Sequence, residues 1–239
     1  MAQYPVTSDA VFATSPAAAE RVTSFLRSVY GWMCAGLAIT ALVAWYVASS
    51  PTLVQTLVRT PFLAIGLMVA QFGLVAVLSF RVHKMAASTA SALFIAYSAL
   101  TGVTMSFILL SYTLESVAST FAVSAGMFGS MALYGTLTKR SLAGWGQFLF
   151  MGLIGVVIAS VVGMFWQSDG LQFILAFCGV IVFTGLAAYD AQRLKAMALA
   201  IPGASGGTSS YSVVGALTLY LDFINLFLML LRLFGGRRR

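Results

Sequence analysis

Two carboxylates stand inside apolar runs of this chain. Asp190 lies in GLAAYDAQRLK, and Asp222 lies in YLDFINLFLMLLRLFGG near the C-terminal end. An ionisable side chain in such a run is costly to keep and by default marks a functional site. Asp222 falls about 15 Å into its helix at the α-helical rise. The preceding helix runs the opposite way, so Asp190 reaches a similar depth if that helix continues to about Met197. Two carboxylates held together in a low dielectric do not both ionise readily, and the pair is expected to share one proton. A carboxyl–carboxylate hydrogen bond would then latch the two helices. Losing the proton, or gaining a cation, would change the latch.

Few other residues invite chemistry. Of the six acids, Asp9 and Glu20 belong to the N-terminal segment, while Glu115 and Asp169 fall at outer span ends, where a solvated carboxylate costs little. Asn225, three residues after Asp222, lies on a neighbouring helical face. It is placed to orient the carboxylate, to hydrogen-bond across helices or to serve structure alone. Arg81, in LSFRVHKM, ends the second apolar run and reads as a counter-ion to the pair or as an ordinary snorkelling arginine. His83, the one histidine, reads as solvated at the interface. Cys34 and Cys178 form neither a metal knuckle nor a disulfide framework, and are expected to be buried thiols.

The elements that must position these residues follow from composition. The 239-residue chain is 60% hydrophobic and 8% charged, against about 25% charged residues in a soluble domain. Runs of about 20 apolar residues, enough to cross a bilayer, recur along it. The expected fold is an all-α integral membrane protein with seven helices: 26–49, 60–80, 86–111, 116–137, 145–166, 171–197 and 212–234. Residues 1–24 read as a cytoplasmic tail that ends in a helical lead-in at Ala17 and has no secretory signal, 25–235 as the transmembrane domain and 236–239 as a basic tail. Gly155, Ala159 and Gly163 repeat at the spacing that lets helices approach closely. Trp45, Trp145 and Trp166 sit near span ends, as interfacial aromatics do.

The net charge of +7 sets topology and does not indicate nucleic acid. Eight of the thirteen basic residues, including Arg21, Arg81, Lys139 and Arg193, fall on one side of a seven-span chain. The positive-inside rule makes that side, and the N-terminus, cytoplasmic. Arg237, Arg238 and Arg239 resist it: they lie outside unless the last segment turns back.

Three stretches resemble the Bax-inhibitor, or transmembrane Bax-inhibitor-motif, family. They are SYTLESVASTFAVSAGMFGSMALYGTLTKRSL (111–142), AYDAQRLK (188–195) and LYLDFINLFLMLLRLFG (219–235), and the similarity covers about 25–235. The resemblance is to bacterial members and implies an inner-membrane location. It also implies six helices wrapped around a central C-terminal one, and a pH-sensitive calcium leak. Asp190 and Asp222 match the family's sensor pair, which calcium would meet transiently as a permeant ion. Arg81 matches the arginine that interacts with the pair, with Lys84 a competitor for that role. No tightly bound cofactor is implied.

The residues leave other functions open. A proton-coupled cation exchanger would use the same pair, and a scaffold for membrane-protein partners would need neither carboxylate. An intramembrane aspartyl protease would also use paired aspartates. That enzyme class carries Gly-x-Gly-Asp, whereas Leu219-Tyr220-Leu221 precedes Asp222 here, so the chain is not expected to be an enzyme.

Overall fold

A computed structural model of the protein describes residues 16–81, 85–166, 168–200 and 209–236. All regular structure in these residues is helical: α1 (Pro16–Ala48), α2 (Pro51–Arg59), α3 (Pro61–Arg81), α4 (Ala87–Ser111), α5 (Leu114–Leu137), α6 (Ala143–Phe165), α7 (Asp169–Ala200) and α8 (Ser210–Phe234). Six of them are long and apolar enough to cross a membrane, and α3 adds a shorter apolar stretch over Ile65–Arg81. The protein is an all-α integral membrane protein.

α1 begins at Pro16, one residue before the expected helical lead-in at Ala17, and runs unbroken into the first span. Proline suits a first helical turn, three alanines follow it, and Ala18 and Phe25 are buried. Between α1 and α3 the expected linker contains α2, PTLVQTLVR, with Pro51 in its first turn and none of its residues buried. It is a short amphipathic piece of the kind that lies along a membrane surface.

The C-terminal helix is the axis of the bundle. In α8, 67% of the apolar window is buried, against 44% in α7 and 22–33% in the other candidate spans. It packs chiefly on α1, α4, α5 and α7. The sixfold wrapping implied by the family is therefore not complete. α3 packs on α4, and α6 on α7, so these two form an outer layer. Their large apolar side chains, such as Phe62, Phe80 and Phe165, face outward. In lipid this costs nothing, because hydrocarbon is as good a solvent for them as a core.

Lipid offers no hydrophobic drive for helix association, so close backbone approach and interhelical hydrogen bonds carry the packing. The expected Gly155–Ala159–Gly163 stripe meets a neighbouring helix at one end: a Cβ at Gly163 would lie 3.2 Å from Gln172 Nε2 of α7, whereas one at Gly155 would meet nothing within 4 Å. The tight approaches lie elsewhere, with a Cβ at Gly135 falling on the Ala188 carbonyl and one at Gly102 lying 2.8 Å from the Thr40 carbonyl. The main polar tie is a buried cluster. The Thr40 hydroxyl meets the carbonyls of Gly36 and Ser98, each at 2.9 Å, and lies 2.7 Å from the Tyr220 hydroxyl. With the Thr40 proton used on carbonyls, Tyr220 is the donor. It thereby ties α8 to α1 and α4, with Phe94 and Tyr97 packed edge-on against its ring. Tyr220→Phe removes this donor and orphans no group on Thr40. It is expected to cost about 1 kcal/mol, read as a lowered midpoint in thermal unfolding.

α8 crosses the bundle completely. At its far end Gly236 accepts from Thr113 N of the α4–α5 connection at 3.1 Å and donates to Ser116 Oγ, in the first turn of α5, at 2.9 Å. The opposite end of the bundle holds the α5–α6 connection, where Lys139 and Arg140 lie. The last segment does not turn back, and residues 237–239 lie outside the described residues.

Candidate functional site: a buried aspartate pair

Asp190 lies on α7, ten residues before its end, and Asp222 lies on α8, twelve residues after its start. Antiparallel neighbours of these lengths bring the two to one level. Their carboxyl groups are within side-chain hydrogen-bonding reach of each other. Both residues are buried, at 7% and 6% exposure. Oδ2 of Asp222 is fully enclosed and has no hydrogen-bond partner. An enclosed oxygen with no donor is expensive when charged, which makes it a place for a proton or a passing cation.

The two faces of α8 have separate tasks. Tyr220 and Asp222 are two residues apart, about 200° around the helix. Tyr220 faces α1 and α4, while Asp222 faces α7. Phe223, next in sequence, packs on Phe121 and Phe128 of α5, with ring centroids 5.3 and 5.6 Å away.

Beyond Asp190, α7 is fastened to the α5–α6 connection. Oε1 of Gln192 accepts from Leu142 N at 2.7 Å, its Nε2 donates to the Arg140 carbonyl at 2.9 Å, and Lys195 Nζ donates to the Thr136 carbonyl at 2.7 Å. The contact of Gly135 with Ala188 lies within this same region. The helix that carries Asp190 is thus held by backbone contact on one side and by three side-chain bonds beyond it.

The other expected site residues are not brought to the pair. Arg81 is exposed at the end of α3, which packs on α4 and so stands one layer away from α8. The basic residue that stands near Asp190 is the exposed Arg193, one helical turn further along α7. Sequence reasoning used Arg193 only for topology. The missed signal was the i, i+3 spacing of an acid and a base on one helix. Lys84 and His83 lie outside the described residues. Asn225 is half-buried, and its amide makes no hydrogen bond among the described residues, to Asp222 or across helices. Cys34 and Cys178 are exposed on the outer surface of the bundle, not buried. Among the described residues no group of three or more His, Cys, Asp or Glu side chains gathers into a metal cluster.

Residues 22–239 match the family described as inhibitor of apoptosis-promoting Bax1. The chain belongs to the Bax-inhibitor family. Bacterial relatives of this family align with almost the whole chain. The inner membrane protein YbhL of Escherichia coli K12 is 52% identical over 216 residues, 90% of this chain and 92% of its own. An uncharacterized protein of Borreliella burgdorferi is 43% identical over 214 residues, 90% of this chain and 92% of its own. Another from Deinococcus radiodurans is 42% identical over 219 residues, 91% and 93% of the two chains. The Bax-inhibitor match therefore covers the aspartate pair, both helices that carry it and the α5–α6 connection that holds α7.

Proposed function

We propose that this Bax-inhibitor family protein is a pH-sensitive, calcium-permeable leak channel of the bacterial inner membrane. In this reading the N-terminus is cytoplasmic and the gate is the Asp190–Asp222 pair. The observation that supports it is the facing of two buried carboxyl groups on neighbouring helices, one with an oxygen that no donor satisfies. With one shared proton the carboxyl groups bind each other and hold α7 to α8. Without it, two negative charges repel in a low dielectric. That repulsion favours separation of the helices or entry of a cation between them. Calcium takes about six to eight oxygen ligands. Two carboxyl groups alone therefore suit passage better than storage.

Reconstitution of the full chain in calcium-loaded liposomes tests this. Efflux is expected to depend on bath pH with no proton gradient imposed. Efflux indistinguishable from that of protein-free liposomes at every pH defeats the proposal. Because a shared proton is also what an exchanger needs, a second arm imposes a proton gradient at fixed bath pH. Flux that requires the gradient, and not merely the pH, assigns the pair to proton-coupled exchange.

A further inference from the structure

Helices α1 and α5 both pack on α8, yet they approach each other far less closely than either approaches α8. Two apolar cavities, of about 420 and 560 Å³, fill the space between them. Leu37, Phe121 and Phe223 line both, so the two form one continuous groove. Each is within the range of about 300–1,000 Å³ typical of small-molecule pockets. The groove follows α5 from Leu114 to Thr136, a length of about 33 Å at the helical rise. That equals a bilayer's hydrocarbon thickness of about 30 Å. Along α1 the two cavities meet at Leu37, one lined from Tyr30 to Leu37 and the other from Leu37 to Trp45.

We infer that the groove is a binding site for phospholipid acyl chains, one entering from each leaflet. Four observations fix this occupant. The groove lies on the membrane-facing side of the bundle, where Trp45 at one end is 65% exposed. Phospholipid chains are the solvent there, and an apolar slot left empty forfeits dispersion contacts. The slot is too narrow for another helix. At the Thr136 end the Tyr30 hydroxyl of α1 is within hydrogen-bonding reach of the Thr136 side chain of α5, which leaves no room for a cylinder of about 10 Å. Its wall is kept open by small residues. Ala41, Ala44, Ala125 and Gly129 line it, and a side chain at Gly129 would meet nothing within 4 Å. Finally, charge waits where a headgroup would sit. Arg27 is exposed one turn before Tyr30 on the same stripe of α1, and Lys139 follows Thr136 by three residues. Both suit a lipid phosphate.

This site is distinct from the aspartate pair, since Asp222 faces α7, but Phe223 on its floor is the next residue along α8. A chain in the groove therefore bears on the helix that carries Asp222. Phe223 is 2% exposed, whereas Phe72 on α3 is 73% exposed. Bulk lipid reaches Phe72 freely and reaches Phe223 only through the groove.

The test uses the full chain in liposomes containing a phospholipid with a photoactivatable diazirine on one acyl chain, with adducts mapped by mass spectrometry. Adducts are expected at Phe223 and Gly129 as well as at Phe72. Filling the groove with Gly129→Leu and Ala125→Leu is expected to lower the Phe223 adduct about tenfold, the factor that corresponds to about 1.4 kcal/mol. The Phe72 adduct serves as the internal reference and is expected to stay constant. Replacing glycine by leucine on an open helix face raises helix propensity, so the variant is expected to fold. A wild-type map with Phe72 labelled and Phe223 unlabelled overturns the inference without any variant. So does a Phe223 adduct that filling the groove leaves unchanged. Labelling of Phe223 by a diazirine fatty acid but not by the phospholipid also overturns it.

Discussion

Calcium efflux through the Asp222→Asn protein is expected to be flat across the pH range in which the unaltered protein responds. Asparagine keeps the size of a protonated aspartate and keeps a donor for Asp190, but it has no proton to lose. The latch is fixed in one state and pH has nothing to act on. Asp190→Asn should give the same flat profile, because either change removes the sharing of one proton. The basic residues should separate cleanly. Arg193 stands near Asp190, and Arg81 lies a layer away. A nearby cation favours an ionised carboxylate, so removing it makes the proton harder to lose. Arg193→Gln should therefore move the midpoint of the efflux profile towards alkaline pH, while Arg81→Gln should leave it in place. Because Arg193 is exposed and screened, its effect should be smaller than the loss of either aspartate. A pH profile kept by Asp222→Asn, or an equal shift from Arg81→Gln, would remove the proposed gate or its proposed cation.

The course of the spans was legible because lipid imposes a simple rule. About 20 apolar residues cross, and loops interrupt them. The pair was legible for the same reason: Asp190 and Asp222 contradict their surroundings. What stayed hidden depends on how helices meet. α2 is nine residues long, and its modest amphipathic pattern does not stand out beside runs of about 20 apolar residues. The rank of each helix in the bundle was also invisible, because α3 and α6 are as apolar as α8 although they face lipid. Hydropathy measures solvent preference, and in a bilayer the solvent and the core are alike. That is why Arg81 was placed by its position along the chain and not by its distance from the pair. It is also why Gly155 and Gly135 could not be told apart. Each is a glycine in an apolar helix, and only the neighbouring helix decides which one is crowded.

Two glycines of α5 make that last point measurable. Glycine in a helix interior costs up to about 1 kcal/mol relative to alanine, so alanine should stabilise wherever its methyl group has room. At Gly129 a Cβ meets nothing within 4 Å, and Gly129→Ala should raise the unfolding midpoint slightly. At Gly135 the Cβ falls on the carbonyl, carbon and Cα of Ala188. These are backbone atoms of α7, so no flexible side chain can swing away. The nearby bonds from Gln192 to the α5–α6 connection and from Lys195 to Thr136 also resist a shift of α7 as a whole. The methyl group must separate two helices that are tied together. Overpacking of this kind costs about 1–3 kcal/mol and exceeds the gain in propensity. Gly135→Ala should thus lower the midpoint that Gly129→Ala raises, and Gly135→Leu should fail to give a monodisperse protein in detergent. Ala188 lies two residues before Asp190, so Gly135→Ala should also displace the pair and alter the pH profile of efflux. Equal midpoints for Gly129→Ala and Gly135→Ala would mean that α5 and α7 are not in backbone contact beside the aspartates.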